Sequence, residues 1–314
     1  MYLYKYVASE RIDILINKSI RFTQPENFND PFELLPVFKK VFDEETYKVI
    51  DHKYEITKDL DITSNEKLTE MIRAYLPEEL RPLEDFAIQL FLNNPQSRTE
   101  LNEGINWIKT IIHNLMTGNN PDLMKKTIEK VKYDANQKYG ILCLSETWKN
   151  LTMWAHYTQS YKGFVISFNT EHDYFLNSGI SNPLLKTIQK MRYSDQREEM
   201  QLFSLNAINE DKMDEIVFPV FFKKSNYWKY EKEWRYLKEL KNHNVVINKN
   251  NEDVYLFSFP PQCIKEIILG CCMEESKKAE IIEILTSDKE YGDVEVFQTK
   301  MHNSDYALEK EKIL

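Results

Sequence analysis

Glycine is scarce in this sequence. The chain of 314 residues contains 7 glycines, and they form neither a GxGxxG motif nor a GxxxxGK[ST] motif. A Rossmann dinucleotide site and a P-loop both need glycines where the backbone approaches a phosphate. The sequence therefore argues against both sites, and any nucleotide would have to be bound through side chains.

Cysteine is also rare, and its spacing is uninformative. The 4 cysteines are Cys143, Cys263, Cys271 and Cys272, and no two of them form a CxxC pair. An adjacent pair is a poor framework for a disulfide or a zinc site. We expect all of them to be buried apolar thiols of a protein in a reducing compartment.

Long apolar runs, a basic excess and metal-binding histidine motifs are missing. No run approaches the roughly 18 apolar residues of a membrane span, and the first residues lack the pattern of a signal peptide, so we expect a cytoplasmic protein without a membrane partner. The net charge of -9 is not that of a dedicated nucleic-acid binder. A net charge averages over the whole surface, so it does not exclude a local basic groove. The 6 histidines show no HxH or HExxH spacing, so no metal site is predicted.

Strand patterns at both ends of the chain surround a helical middle, which predicts the α+β class with a mixed or antiparallel central sheet. We place a core domain at residues 1–40 and 137–314 and a helical insert at 41–136. In the core, "YLYKYV", "SIRFT", "YGILCLSE", "YKGFVISFN", "VYLFSF", "IKEIILG" and "DVEVFQTK" predict strands. Helices are predicted at "SERIDILINKS", with Ser9 as N-cap, and at "NLTMWAHYTQS", "MDEIVFPVFFKKSNYWKY" and "EESKKAEIIEILTS".

The segment "WKYEKEWRYL" has two readings. As a helix it would pair Glu231 with Arg235 at i,i+4. As a strand it places Glu233 and Arg235 on one face and aromatic residues on the other. We predict the strand, with Glu233 as its first inward residue, while a structural Glu233–Arg235 pair stays open. The preceding Lys223 and Lys224 could contact a phosphate, but exposed lysines usually face water, and we expect them to do so.

A second segment, "QPENFNDPFE", has the residues of a tight turn. Asp30 precedes a proline and is pushed out of the helical region, and asparagine and aspartate cap their own turns. We predict structural roles for Phe28, Asn29, Asp30 and Pro31, and likewise for His156 in "MWAHYT".

Three segments together resemble a known family: "RFTQPENFNDPFE", "ILCLSETWKNLTMWAHYTQSYKGFVISF" and "KSNYWKYEKEWRYL". The family is a large group of bacterial proteins of unknown function, often encoded near phage-defence or mobile elements. Its motifs stand in order across nearly the full chain, with the helical insert as the least typical part. This resemblance implies a defence setting but no activity.

The order of elements is more distantly similar to the ADP-ribosyltransferase superfamily, which implies a split sheet with NAD bound in a cleft. Carried onto this chain, that resemblance implies Arg21 as the NAD anchor, Ser145 as a wall residue, Glu233 as the catalytic carboxylate and Glu231 as the first acid of the pair. The aromatic residues that would flank nicotinamide or adenine are Tyr4, Tyr6, Trp154 and Tyr157.

These residue types suit NAD chemistry, because a carboxylate stabilises the oxocarbenium-like ribose and arginine binds pyrophosphate without glycine-rich backbone. The sequence thus predicts an NAD-consuming toxin or phage-defence effector that acts on a protein or nucleic-acid target, with an antitoxin or defence partner implied by its setting. One alternative is a non-enzymatic module that binds a nucleotide or a protein. The other is a metal-dependent nuclease built on Glu231, Glu233 and Asp30.

Overall fold

A computed structural model describes residues 1–32, 34–35, 37–42, 121–180, 185–197, 199–203, 221–249 and 252–314, with the isolated residues 66, 69–70, 73 and 81. The chain divides into two compact units. One consists of Met1–Leu35, Glu129–Glu198 and Val217–Leu314, and the other of Pro36–Ile128 and Glu199–Ile216. The predicted insert at 41–136 lies mostly outside the described residues, so its bounds stay a prediction.

The α-helices in the described ranges are α1 (Asp13–Asn17), α2 (Pro121–Lys138), α3 (Leu151–Tyr157), α4 (Asp173–Leu176) and α5 (Glu275–Ser287). The strands are β1 (Tyr2–Val7), β2 (Ser19–Arg21), β3 (Val37–Phe42), β4 (Tyr139–Ser145), β5 (Phe164–Asn169), β6 (Gln189–Lys190), β7 (Arg192–Ser194), β8 (Glu199–Phe203), β9 (Lys223–Ser225), β10 (Glu233–Glu239), β11 (Val245–Lys249), β12 (Glu252–Ser258), β13 (Ile264–Leu269), β14 (Glu295–Met301) and β15 (Leu308–Lys312).

The first unit is built on an eight-stranded sheet in the order β15-β14-β13-β5-β1-β4-β10-β6. Its neighbours are antiparallel except for the parallel pair β13 and β14. A smaller sheet has the order β11-β12-β2, and β7 pairs with β9 in parallel. In the second unit β3 and β8 form a parallel pair. The predicted α+β class with a mixed sheet is confirmed.

The large sheet is almost divided between β1 and β4. These strands share one pairing, Tyr4 with Ser145, whereas β4 pairs with β10 along its whole length, from Glu233 opposite Ser145 onward. Where the two strands diverge, the Lys5 ammonium donates to the backbone oxygen of Cys143 at 3.1 Å. Tyr4, Ser145 and Glu233 therefore lie side by side at the single pairing that joins β1 to β4.

Apolar side chains cover both faces of this sheet. Because side chains alternate along a strand, Leu3, Leu144 and Tyr236 fall on one face in the larger core cluster, together with residues of α5. Tyr6 lies on the other face in a smaller cluster with Trp154 of α3. That second face is the one on which Glu233 and Ser145 lie, and so α3 packs on the same face as the candidate site.

Most predicted elements of the core are confirmed, and two predictions are wrong. Ser9 is not a cap: its hydroxyl donates to Gln159 Oε1 at 2.8 Å, and Ala8 precedes the 3-10 turn at Ser9–Ile12. In the described part of "MDEIVFPVFFKKSNYWKY", Lys223–Ser225 is a strand and Asn226–Glu231 a 3-10 turn rather than a helix. Within the described ranges, no helix is both long and apolar enough to cross a membrane.

Candidate functional site

The site lies where a short turn enters β10. The 3-10 turn ends at Glu231, and Lys232 adopts a left-handed backbone with φ of 45° before the strand begins at Glu233. This reversal leaves Lys232 exposed while the two glutamates on either side of it are buried, each with 4% of its surface accessible. The prediction that Glu233 is the first inward residue of a strand is confirmed.

Two carboxylates and two cations meet at this point. Lys224 Nζ lies 2.8 Å from Glu231 Oε2 and 3.1 Å from Glu233 Oε2. Arg235 Nε lies 2.8 Å from Glu233 Oε1 and its Nη1 donates to the backbone oxygen of Phe221 at 2.8 Å. We call Lys224, Glu231, Glu233 and Arg235 the charge cluster. The open question about the pair is therefore answered: Glu233 faces Arg235 and Lys224.

The charge cluster is electrically balanced, which is how buried ions are tolerated. Burial by itself would raise the pKa of the Glu233 carboxyl, but the Arg235 and Lys224 charges outweigh it and lower this pKa to about 2. Glu233 is accordingly an ionised carboxylate at neutral pH. It can accept hydrogen bonds or stabilise a cation, and it cannot act as a proton donor there.

Tyr157 and Ser145 connect the charge cluster to α3 and β4. The Tyr157 hydroxyl donates a short hydrogen bond to Glu231 Oε1, and the Ser145 hydroxyl donates to the backbone oxygen of Glu231 at 2.6 Å. Burial and the Glu231 carboxylate raise the pKa of Tyr157, with a hydrogen bond from Asn29 offsetting part of the effect. Ser145 thus holds the backbone of the turn, whereas Tyr157 is hydrogen-bonded to the Glu231 carboxylate itself.

Aromatic side chains stand between the charge cluster and the surface. Exposed His156 makes edge contacts with Tyr157 and Tyr230, at centroid distances of 6.3 and 6.4 Å. Tyr230 lies 6.2 Å from Trp228, whose ring has the Lys224 ammonium 4.7 Å from its centroid. We call His156, Tyr157, Trp228 and Tyr230 the aromatic rim. Its rings offer planar surfaces at a partly exposed position next to buried carboxylates.

Two of the aromatic residues predicted to flank a ligand lie inside the protein. Trp154 is fully buried and Tyr6 nearly so, with their rings in edge contact at 5.6 Å. Their polar atoms are bonded to backbone oxygens, Tyr6 to Thr147 at 2.8 Å and Trp154 to Trp148 at 2.6 Å. Tyr4 is half-buried beside Ser145 and packs on the same cluster.

Arg21 lies in the small sheet, two residues before a bridge to the strand that ends at Ser145. Arg21 pairs with Leu256 in the small sheet, and the chain just beyond it touches β4 through the bridge of Thr23 with Ile141. The ion pairs and hydrogen bonds of the charge cluster given above do not include Arg21, and its assignment to an NAD site shared with Ser145 and Glu233 stays a prediction.

The predicted turn supports the charge cluster from another side. Asp30 is buried and its Oδ1 accepts the Phe32 amide at 2.9 Å, as an aspartate that caps its own turn does. The Phe28 ring lies 5.1 Å from the Arg235 guanidinium carbon, a cation–π distance, while Pro31 is exposed. Phe28 thus helps to hold Arg235.

Sequence reasoning missed Lys224, the residue that joins both glutamates. It was expected to face water, and this was wrong: its side chain is buried. The reason is the strand β9, whose alternation turns Lys224 inward between the half-buried Lys223 and Ser225. Lys5 was also missed. The signal available for both was a lysine inside an otherwise apolar, strand-like run.

Among the described residues, no group of three histidine, cysteine, aspartate or glutamate side chains is placed to hold a metal ion. In the nuclease alternative, Glu231 and Glu233 would provide two of the ligands, but cations occupy oxygens of both. A protonated lysine and an arginine would compete with a metal for those oxygens. The donor set does not fit a metal site.

Comparison with known proteins finds one family. A model described as a protein of unknown function, DUF2971, matches residues 153–236, a range that includes Tyr157 and the whole charge cluster. The expected similarity to an uncharacterised family is thus confirmed for this part of the chain, while the "FNDPFE" turn lies outside the match. No curated protein and no solved structure gives a significant match, and the resemblance to ADP-ribosyltransferases stays a prediction.

Proposed function

We propose that this protein consumes NAD in the manner of an ADP-ribosyltransferase, at the end of the sheet where the aromatic rim meets the charge cluster. The observation that supports this most is the carboxylate of Glu231, held by Lys224 on one oxygen and by Tyr157 on the other. Rings that can stack on a planar base lie beside it. A nucleotide with two bases and ribose hydroxyls matches that combination of groups.

The geometry favours a different division of labour between the two glutamates from the one that the resemblance implies. Glu233 has a cation on each oxygen, so we assign it to positioning Lys224 and Arg235. Within the described ranges Glu231 has one cationic partner, Lys224, and its second oxygen accepts a hydrogen bond from the half-exposed phenol of Tyr157. A ribose hydroxyl could replace that phenol as donor, which makes Glu231 the carboxylate that would face the substrate.

The proposed reaction has two steps. The bond between nicotinamide and ribose C1′ breaks, and nicotinamide leaves with the bonding electron pair. The positive charge that develops on the ribose is stabilised by the nearby Glu231 carboxylate. An oxygen or nitrogen of the target then forms a bond to C1′ and releases its proton to Glu231. Water in place of the target would give simple hydrolysis of NAD.

A second candidate is a module that binds a nucleotide or a protein without turnover. It is favoured by the balance of the charge cluster, in which both carboxylates are neutralised by Lys224 and Arg235. In this case the aromatic rim alone would form the binding surface, and the buried charges would only hold the turn. The target, and any antitoxin or defence partner, are implied by resemblance in both cases.

The first test is nicotinamide release and transfer of labelled ADP-ribose when the protein is incubated with NAD and a bacterial extract. We expect Glu231→Gln to lower release by about 100-fold or more, the usual effect of losing a transition-state contact. The matched control is Glu239→Gln, at the last residue of β10, the strand that follows the turn with Glu231. Thermal unfolding of each variant shows whether the fold survives.

The same experiment separates the two candidates. Release by the unmodified protein that disappears in Glu231→Gln supports NAD consumption. Quenching of tryptophan fluorescence by NAD without any release, equal in both glutamate variants, supports the binding module. Neither release nor binding of NAD, with or without extract from phage-infected cells, contradicts NAD consumption and leaves only a module that binds another nucleotide or a protein.

A further inference from the structure

The adjacent cysteines form an accessible dithiol in the turn after β13. Their sulfur atoms lie 4.0 Å apart. Cys272 is exposed and Cys271 is half-buried, whereas Cys263 is fully buried. The expectation that every cysteine is a buried thiol was therefore wrong for Cys272. We propose that Cys271 and Cys272, the thiol pair, are a site of reversible oxidation by small disulfides, and that closing their ring alters the loop after α3.

Reversibility follows from the geometry of neighbouring residues. The Cα atoms of consecutive residues are about 3.8 Å apart, below the range of roughly 4.4 to 6.8 Å in which ordinary disulfides form. A ring between the two is strained, and strained or exposed disulfides are the readily reduced ones. The thiol pair therefore suits a reversible reaction better than a structural crosslink.

The turn with the thiol pair is tied to the loop that follows α3. The Cys272 amide donates to the Tyr161 backbone oxygen at 3.1 Å, and the Gly270 amide donates to the Gly163 backbone oxygen at 2.9 Å. The two segments approach so closely that a Cβ atom on Gly270 would lie 2.0 Å from the Tyr161 oxygen. Rotation of the peptide between the two cysteines must disturb the first of these hydrogen bonds.

That loop is itself conformationally strained. Gln159, Ser160 and Tyr161 all have positive φ, at 53°, 56° and 68°, and none of them is glycine. Such residues persist only where surrounding contacts hold them. Tyr161 also stacks on Trp154 of α3, with centroids 6.3 Å apart and planes inclined by 5°. Losing the hydrogen bond from Cys272 would therefore change the conformation at the C-terminal end of α3, the helix that contains His156 and Tyr157.

The chemistry proceeds in two exchanges. The exposed Cys272 thiolate attacks one sulfur of a low-molecular-weight disulfide such as oxidised glutathione, forms a mixed disulfide and expels one glutathione thiolate. The Cys271 thiolate then attacks the Cys272 sulfur and expels the second glutathione thiolate. Two protein thiols are oxidised, one small disulfide is reduced, and the two thiol protons pass to solvent and the leaving thiolates. Burial and the neighbouring thiol raise the pKa of Cys271, so the second step should accelerate with pH.

The test treats the intact protein with oxidised glutathione and follows whole-protein and peptide masses. We expect a product two hydrogen atoms lighter, linked within the peptide that contains the thiol pair and reversed by dithiothreitol. Cys271→Ser should stop at the glutathione adduct on Cys272, and Cys272→Ser should give neither product. Cys263→Ser is the matched control and should behave as the unmodified chain. A persistent adduct on Cys272 without ring closure would overturn the proposal.

Hydrogen exchange tests the connection to the loop. On ring closure we expect exchange at the Cys272 amide and across residues 158–163 to accelerate by about tenfold or more, because a hydrogen bond that protects them is lost. Exchange in β5, a buried strand, should not change. A ring that forms with no change in this loop would overturn the proposed coupling. None of these readouts depends on NAD.

Discussion

The two faces of β10 bury a cation each, and they do so in different ways. On one face Arg235 is fully buried and paired with Glu233. On the other face Lys238 has no carboxylate partner among the described residues. Its ammonium is instead surrounded by aromatic rings, with the Tyr174 centroid at 4.0 Å, those of Phe22 and Phe257 at 5.5 Å and that of Tyr236 at 5.7 Å.

The two arrangements differ in how the stability of the fold depends on the partners of the cation. A buried ion pair depends on both partners, since removing one leaves an uncompensated charge. A lysine among rings gains cation–π attraction from several weak contacts, but burial lowers its pKa to about 8 because the charge is less well solvated there. Substituting one partner on the face with Glu233 should therefore destabilise the fold strongly, whereas substituting Lys238 on the other face should have a smaller effect.

The largest effect should come from Arg235→Met. This change leaves Glu233 buried with Lys224 as its only cation of the charge cluster, and should destabilise the fold by about 3 to 5 kcal/mol. Urea denaturation measures the loss. Lys238→Met is the comparison on the opposite face, and an equal loss there would contradict the distinction between the two faces.

Lowering the pH should also show that the stability of the fold depends on the ionised Glu233 carboxylate. The pKa of Glu233 is about 2 in the folded protein against an ordinary 4.5, so its contribution is complete above about pH 4.5 and is lost as the pH falls toward 2. The expected loss is on the order of 3 kcal/mol, measured by urea denaturation between pH 5 and 2 in buffers of constant ionic strength. Glu233→Gln should flatten this slope, and Glu239→Gln should keep it.

Tyr157→Phe should have a smaller effect. It removes the hydrogen bond that Glu231 accepts from α3 and should destabilise the fold by about 1.5 to 3 kcal/mol, typical of a bond to a charged group. Tyr227→Phe is the control, since that side chain is 89% exposed. Equal midpoints of thermal unfolding for the two variants would show that the bond does not contribute.

The smallest effect belongs to Lys238. Its folded pKa of about 8 lies below the ordinary 10.5, so the unfolded chain binds more protons between these values and stability should rise with pH across that window. Because Lys238 is only half-buried, solvent screens part of this effect, and we expect a rise on the order of 1 kcal/mol. Lys238→Met should abolish the rise, while Lys241→Met, an exposed lysine, should preserve it.

The sequence predicted β10 better than it predicted the partners of β10. Alternation within "EWRYL" is a local property, and it placed Glu233 inward correctly. Lys224 was misplaced because "FFKKSNYWKY" has no sustained period, and its direction depends on pairing with β7. The assignment of Arg21 to a shared site rested on the order of elements, which does not specify how close β2 comes to the end of β4, and it stays a prediction.

What the sequence by itself determined is therefore the local order: the α+β succession of elements, the turn at Asp30 and the inward side of β10. These follow from residue periodicity and backbone preference over a few positions. Only the tertiary structure decided that Ser145 and Tyr157 meet Glu231, across separations of 86 and 74 residues, and that the thiol pair is accessible. Such contacts depend on which strands become neighbours and on where β1 and β4 diverge. A buried charge needs a partner, and the packing of these strands determines which groups lie within reach of it.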